Sequence, residues 1–161
     1  MRYALVNGEM SEAEKGLSGD CRGCGMSMLP RCGNVRIRHW AHKGKLVCDP
    51  WLKDKTQWHV QWQDNFPKTW QEFRFVAESG EMHIADVKTI KDWVIEFQHS
   101  PIAPGERQAR NNFYKKLVWV VDGARRKRDK SKFFESLSKV VDVSNPQSPV
   151  RRVYRVSWNT W

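Results

Sequence analysis

The chain has 161 residues, a hydrophobic share of 40% and a formal net charge of +10. These values favour one folded domain with a small appended module, and they exclude a low-hydrophobicity disordered chain. No run approaches the 18 or so apolar residues that cross a bilayer, and the N-terminus has no apolar run long enough for a signal peptide. We therefore expect a cytoplasmic protein, not associated with membranes, whose basic charge favours a polyanionic partner over a role in solubility alone.

The first 50 residues contain a predicted metal site. Residues 3–6 predict a strand, and a polar loop follows to residue 20. Six candidate ligands come next: Cys21, Cys24, Cys32, His39, His42 and Cys48. Clustered cysteines in a reducing compartment bind metal more often than they pair, and Cys-x-x-Cys lets two thiolates reach one tetrahedral ion.

We predict a closed, structural zinc site formed by Cys21, Cys24, His39 and His42. The two histidines are three residues apart, which suits two ligands on one turn. Cys48 or Cys32 is a substitute for either histidine, because spacing does not settle which four residues bind. The alternative is a set of buried cysteines with two ordinary histidines.

Residues 55–63 predict a helix, since Trp58 and Trp62 recur four apart and Asp54 is placed to cap it. His59 lies beside the Trp58–Trp62 stripe, where a single histidine is more often structural than catalytic. Residues 70–77 alternate as a strand that carries Glu72. An ion pair between Glu72 and Arg74 is one of two interpretations of this residue, the other being a role at the metal.

Residues 81–100 predict two strands joined by a turn at 90–92. Asp86 lies in the first strand and Glu96 in the second, each among apolar neighbours. Buried carboxylates are costly unless a cation or hydrogen bonds compensate them. Together they suit a hard divalent ion such as Mg²⁺, which needs one or two protein carboxylates. Solvated acids on an edge hairpin are the alternative.

The remaining segments are strongly basic. Residues 106–116 predict a helix that places Arg107, Arg110 and Tyr114 on one face, suited to a scissile phosphate because arginine binds phosphate bidentately. Residues 117–121 predict a strand in the middle of a sheet. The basic loop 124–130 suits backbone phosphates, through Arg125, Arg126, Lys127 and Arg128. A helix at 133–140 and a strand at 150–158 complete the prediction.

Several of these motifs resemble a known family. The order Asp86, then Glu96-Phe-Gln98, resembles the signature of the PD-(D/E)XK nuclease superfamily, with Gln98 in place of the usual lysine. Residues 85–87 and the more specific run at 95–102 are similar to the CoiA-like family of competence proteins and its phage-borne relatives. The resemblance extends to His39-Trp-Ala-His42, Trp58-His59 and Arg110-x-x-Phe-Tyr114, and covers about residues 20–122.

The resemblance implies an α/β fold, a mixed sheet flanked by helices, with acids at one end of the central hairpin. It implies that Asp86 and Glu96 hold Mg²⁺ or Mn²⁺, with Glu72 as a third acid or as a group that orients one of them. Gln98 would orient the attacking water, and His59 would carry a proton. Three positions depart from the family: Lys55 and Gln57 stand where acids are expected, and Gln63 where lysine is expected.

The combined prediction has a zinc-knuckle module at residues 1–50 and a nuclease-like domain with a basic C-terminal extension at 51–161. Its function is Mg²⁺-dependent hydrolysis of DNA in DNA processing or recombination. The rival hypothesis is a non-catalytic, zinc-stabilised DNA-binding accessory protein. A third hypothesis is an RNA-binding module, because nine tryptophans offer stacking platforms. A homodimer is compatible with the resemblance, since such nucleases often need a partner to cut two strands.

Overall fold

The computed structural model describes residues 1–44 and 48–128, together with Ser131 and Phe134. The chain forms two compact units, Met1–Val121 and Asp122–Trp161. The first unit contains two sheets and two α-helices, which confirms the predicted α/β class. In the second unit the backbone N–H of Ala124 donates to the Asp122 carboxylate at 3.0 Å. The predicted helix at 133–140, apart from Phe134, and the predicted strand at 150–158 lie outside the described residues.

The first sheet is antiparallel, in the order β2-β1-β3-β4-β5. Its strands are β1 Tyr3–Val6, β2 Glu9–Glu12, β3 Gly19–Asp20, β4 Ser27–Arg31 and β5 His39–His42. The sequence predicts a loop after β1, and the structure instead forms a hairpin. Asn7 and Gly8 adopt φ values of 52° and 86°, which is the two-residue turn that Asn-Gly favours between paired strands.

Trp40 is the largest side chain in the core of the first sheet. It is 1% exposed and packs with Ala4, Cys21 and Met28. Its indole N–H donates to the Ser11 carbonyl at 2.9 Å, so the one polar atom of the ring is satisfied in the core. The alternation of β5 turns Trp40 inward and leaves its neighbours partly exposed.

The second sheet is mixed, in the order β6-β7-β8-β9. Its strands are β6 Gln71–Val76, β7 Met82–Lys88, β8 Val94–Gln98 and β9 Leu117–Val121. The first two pairings are antiparallel, and β8 pairs with β9 in parallel. Within the described strands β9 lies at the edge and is only partly buried, so the prediction of a central position for it was wrong.

In the sequence, one α-helix comes before the second sheet and the other connects two of its strands. Helix α1 is Gln57–Gln63, and its cap is Thr56, which accepts from the His59 N–H, and not Asp54. Helix α2 is Pro104–Phe113 and connects β8 to β9. It begins two residues earlier than predicted because proline is favoured in the first turn. Neither helix in the described part of the chain has the length and apolar character needed to cross a membrane.

The segment around the cysteines packs directly on the second sheet. Arg22 donates to the Gln71 and Glu72 carbonyls, both at 3.0 Å. In the other direction, Arg74 Nε donates to the Gly23 carbonyl at 2.7 Å. Residues on both sides of position 50, where the sequence predicts a domain boundary, therefore belong to one compact unit.

Candidate active site and metal centre

Four cysteine and histidine side chains converge at the junction of the two sheets. The ligand atoms of Cys21, Cys24, His42 and Cys48 all lie within 4.8 Å of one another. Cys21 and Cys24 come from the turn between β3 and β4, His42 ends β5, and Cys48 follows later in the chain. Gly23 packs closely against the second sheet, since a Cβ there would lie 3.0 Å from Ile84 Cδ1.

The spacing of this cluster matches a tetrahedral zinc ion. The Sγ atoms of Cys21 and Cys48 are 3.7 Å apart, and Cys24 Sγ lies 3.3 Å from His42 Nε2. Zinc–sulfur bonds of about 2.3 Å place two sulfurs of a tetrahedral site about 3.8 Å apart. Burial raises the pKa of the Cys21 and Cys48 thiols, so zinc binding would release protons from them.

The observed cluster differs from the predicted set of zinc ligands at a single position. Cys48, one of the two substitutes, takes the place of His39, and Cys32 donates instead to the Ala13 carbonyl at 3.4 Å. His39 and His42 lie on a strand, where residues three apart point to opposite faces. The prediction of two ligands on one turn was therefore wrong for His39.

A second polar cluster lies on the central hairpin of the mixed sheet. Asp86 on β7 is 8% exposed, and its Oδ2 accepts from the Phe97 N–H on β8 at 3.0 Å. Glu96 on β8 is 3% exposed, and its Oε1 lies 3.4 Å from the Asp86 N–H. The two carboxylates therefore lie on the same side of neighbouring strands, as the alternation of the hairpin predicts.

Two basic side chains reach Asp86 from the segment before α1 and from its first turn. Lys55 Nζ is 2.7 Å from Asp86 Oδ1, and His59 Nε2 is 2.8 Å from the same oxygen. Burial opposes ionisation of Asp86, but attraction to Lys55 and the hydrogen bond from His59 outweigh it and hold the pKa of Asp86 well below its usual range. Burial and the nearby Lys55 lower the pKa of His59, so its imidazole is neutral at pH 7.

Arg110 of α2 reaches inward to Glu96. Its Nη1 is 2.6 Å from Glu96 Oε2, and its Nη2 bonds the Trp51 carbonyl and Glu106 at 2.7 Å each. Burial, followed by repulsion from Asp86, nevertheless raises the pKa of Glu96 to about 8. One arginine does not offset the desolvation of this acid.

Glu72 connects the mixed sheet to the first sheet. Its carboxylate oxygens accept from the backbone N–H groups of Arg2 at 2.8 Å and Tyr3 at 3.0 Å, and Lys55 Nζ lies 3.5 Å away. The alternative interpretation, an ion pair with Arg74, is not observed, and Arg74 Nε donates instead to the Gly23 carbonyl. Glu72 also has a φ of 48°, which is uncommon and strained outside glycine.

Two glutamines near the hairpin have different surroundings. Gln63 is fully buried and donates to the Asp86 carbonyl at 3.0 Å, while its Oε1 has no partner among the described residues. Gln98 instead bonds the Ser100 carbonyl. The resemblance predicts that Gln98 orients a water molecule at the two carboxylates. In the structure its side-chain amide is used in the bond to Ser100.

The residues predicted to contact nucleic acid fall into three environments. Tyr114 is 3% exposed and packs with Ala85 and Val94, so the phosphate contact predicted for it does not fit its burial. Arg110 is 6% exposed and pairs with acids, whereas Arg107 is half-buried. In the second unit the four basic residues that the structure describes are exposed: Arg125, Arg126, Lys127 and Arg128.

The polar cluster has the donors that a hard divalent cation prefers. Three buried carboxylates, Glu72, Asp86 and Glu96, face two permanent cations, Lys55 and Arg110. Among the described residues only the cysteine cluster brings three such ligand atoms within 4.8 Å of one another. Because Lys55 Nζ is 2.7 Å from Asp86 Oδ1, a divalent cation at Asp86 requires Lys55 to withdraw from that oxygen.

The sequence did not predict the ion pairs that Lys55 forms with Asp86 and Glu72. Lys55 lies in an irregular segment and is 31 residues from its partner Asp86, so no periodicity connects the two. The signal in the sequence was a lysine where the resemblance expects an acid. No family model matches the chain, and neither a curated protein nor a solved structure matches it.

Proposed function

We propose that the protein is a metal-dependent nuclease that hydrolyses DNA phosphodiester bonds, using Mg²⁺ or Mn²⁺, with a structural zinc ion. The observation that carries the proposal is that Asp86 and Glu96 are buried on neighbouring strands, with Glu96 Oε1 3.4 Å from the backbone nitrogen of Asp86. The mixed strand order, with α2 connecting two parallel strands, also supports the resemblance to the PD-(D/E)XK nucleases.

In this proposal Asp86 and Glu96 are the residues that hold the catalytic cation. When bound, it would lower the pKa of a water molecule and stabilise charge that develops on the phosphate. His59 Nε2 lies 2.8 Å from Asp86 Oδ1 and donates to it, so it would be free to accept a proton from that water only once the cation takes up this oxygen. Lys55 would leave Asp86 when the cation binds, and it is then the candidate for the positive charge that Gln98 lacks, since Gln98 bonds Ser100.

In this proposal a zinc ion stabilises the strands that carry the acids. Its ligands are Cys21, Cys24, His42 and Cys48. The loop between the first two cysteines carries Arg22, which bonds the carbonyls of Gln71 and Glu72. Asp49, next to Cys48, accepts from the Ile84 N–H at 2.7 Å. Both contacts hold strands β6 and β7 in register beside the acids.

A second candidate function is a non-catalytic DNA-binding accessory protein. It is favoured by the ion pairs themselves, because Lys55 binds Asp86 and Glu72, and Arg110 binds Glu96. Internal cations that stay in place would keep a divalent ion out. The basic charge of the chain serves this function equally well.

A cleavage assay separates the two functions. Purified, zinc-loaded protein is incubated with supercoiled, linear and single-stranded DNA, and with RNA, in Mg²⁺, Mn²⁺ or no divalent cation. The nuclease predicts DNA products only with a divalent cation, and their loss in Asp86→Asn with DNA binding retained. Salt-sensitive binding with no product under any condition selects the accessory protein and refutes the nuclease.

A further inference from the structure

His39, left out of the zinc cluster, lines a cleft on the first unit of the chain. The cleft has a volume of about 380 Å³ and lies between the segment that leads into β5 and the start of α1. Its walls include Val35, Ile37 and His39 on one side and Thr56 and Val60 on the other. Sites for small organic ligands begin near about 300 Å³, so the cleft has room for a nucleotide-sized group.

Most of the charged side chains that line the cleft are cationic. Four cationic side chains and one acidic side chain line it: Arg2, Arg36, Arg38 and Lys55, and Asp54. Arg36 bonds Asp54 at 2.8 Å, but both side chains are largely exposed, so the pair is weak and opens easily to a ligand. Arg38 is exposed as well. Arg2 is already paired with Glu12 and Asp64, and Lys55 with Asp86, so Arg36 and Arg38 are the cations that the cleft offers to an anionic ligand.

Apolar surface lies beside these cations. Val35 is 97% exposed, and Ile37 and Val60 also line the cleft. A nucleotide combines an anionic phosphate with an apolar sugar and base, and this lining offers a contact for each part. A bare inorganic anion would use only the arginines.

The cleft adjoins the acid cluster through Lys55. This residue lines the cleft, and its Nζ lies 2.7 Å from Asp86 Oδ1 and 3.5 Å from Glu72 Oε1. Thr56 and Gln57, the next two residues, also line the cleft and begin α1. A strand whose phosphate lies at Asp86 therefore has the cleft within reach of its neighbouring nucleotides.

We propose that this cleft binds the phosphodiester backbone of the DNA strand next to the cleaved bond, with Arg36 and Arg38 as its phosphate-binding residues and His39 beside them. The inference rests on the proposed function and adds to it the path of the substrate. It also gives the segment 35–39 a role in the first unit that is separate from metal binding. Such contacts position the strand and carry no sequence preference.

Fluorescence anisotropy with a labelled single-stranded oligonucleotide tests the cleft directly. The full-length, zinc-loaded chain is titrated in a buffer without added divalent cation, so that binding is measured apart from cleavage. The test variant is Arg36→Gln/Arg38→Gln. The matched control is Lys91→Gln/Lys115→Gln, which removes the same charge from exposed residues outside the cleft.

Removing one phosphate-binding arginine should weaken oligonucleotide binding about fivefold to tenfold at 0.1 M salt, because fewer counterions are released when the strand binds. We expect each of the two substitutions in the cleft variant to have this effect and to reduce the salt slope by about one, while the control stays within about twofold of wild type. An excess of inorganic phosphate should not displace the oligonucleotide. Zinc content and urea midpoint should match wild type in both variants.

If binding is weakened equally in the two double variants, the proposal that the cleft binds DNA is refuted. Displacement of the oligonucleotide by inorganic phosphate at the same ionic strength would also refute it. The outcome is separable from the proposed function. If wild type cleaves DNA and the cleft variant binds normally, the inference fails and the nuclease stands. If the cleft variant binds weakly and wild type never cleaves, the inference stands and the nuclease fails.

Discussion

Lys55 Nζ lies 2.7 Å from Asp86 Oδ1, so the carboxylate proposed to hold a divalent cation already has a cation of the chain beside it. The side chains are 7% and 11% exposed, and Glu72 lies 3.5 Å from the same ammonium. In this state the positive charge of Lys55 compensates the negative charges of Asp86 and Glu72. The balance between Lys55 and a divalent cation at Asp86 decides whether the site is a nuclease centre or a structural ion-pair network.

Replacing Lys55 by alanine should destabilise the protein by about 3–5 kcal/mol, because it leaves two buried carboxylates without their cation. Millimolar Mg²⁺ should restore part of this stability, since the divalent cation takes the vacated position. Urea unfolding with and without Mg²⁺ measures both effects. Lys53→Ala is the control: its exposed Nζ is 3.5 Å from Glu106, and its removal should cost under about 1 kcal/mol. Equal stability of the two variants would contradict the bridging role of Lys55.

Zinc content should follow the cysteine cluster and not the spacing of the histidines. We expect about one zinc per chain in wild type, with loss of the metal in His42→Asn and Cys48→Ser. Two matched controls, His39→Asn and Cys32→Ser, should keep it, because His39 lies outside the cluster and Cys32 bonds the Ala13 carbonyl. Elemental analysis of the purified variants measures this directly. If His39→Asn loses zinc and Cys48→Ser keeps it, the observed cluster is contradicted and the ligand set predicted from spacing is correct.

The stability of the metal-free acid site should depend on pH through Glu96. Burial and Asp86 raise the pKa of Glu96 from 4.5 to about 8, so the folded state binds this proton more tightly than the unfolded state. The free energy of unfolding should therefore fall as the pH rises from 4.5 to about 8, and it should level off at higher pH. Glu96→Gln is neutral at every pH and should flatten the curve between about pH 5 and 8.

Urea unfolding without divalent cations, at several pH values, measures the effect. The difference between wild type and Glu96→Gln cancels the titration of other groups that behave alike in both proteins. Identical pH profiles for the two proteins would show that Glu96 is ionised throughout the range, which would mean that Arg110 outweighs burial at this carboxyl.

The sequence was sufficient for the central hairpin because alternation is a local property. It placed Asp86 and Glu96 in β7 and β8 with the turn between them, and the structure has both strands within two residues of the predicted bounds. The hairpin after β1 was equally local, since Asn7-Gly8 is a strong turn signal, but the sequence interpretation assigned a loop there. That error came from overlooking turn chemistry.

The rest depended on contacts that are distant in sequence. Cys48 joins Cys21 across 27 residues, and Lys55 joins Asp86 across 31. No periodicity reports such contacts. The orientation of Arg110 was also nonlocal: its helix position suits a phosphate-binding face, yet the buried Glu96 draws the guanidinium inward to 2.6 Å. The β-strand conformation of residues 39–42, which separates the two histidines, depends on pairing with β4.

Direct binding of Mn²⁺ to the zinc-loaded protein tests the central claim, that Asp86 and Glu96 share one divalent cation. Isothermal titration calorimetry should give about one Mn²⁺ site in wild type and in the control Glu78→Gln, which lies outside the acid cluster. Asp86→Asn and Glu96→Gln should each abolish that site while zinc content stays unchanged. Mn²⁺ binding that survives in both variants, or is absent from wild type, would contradict the claim.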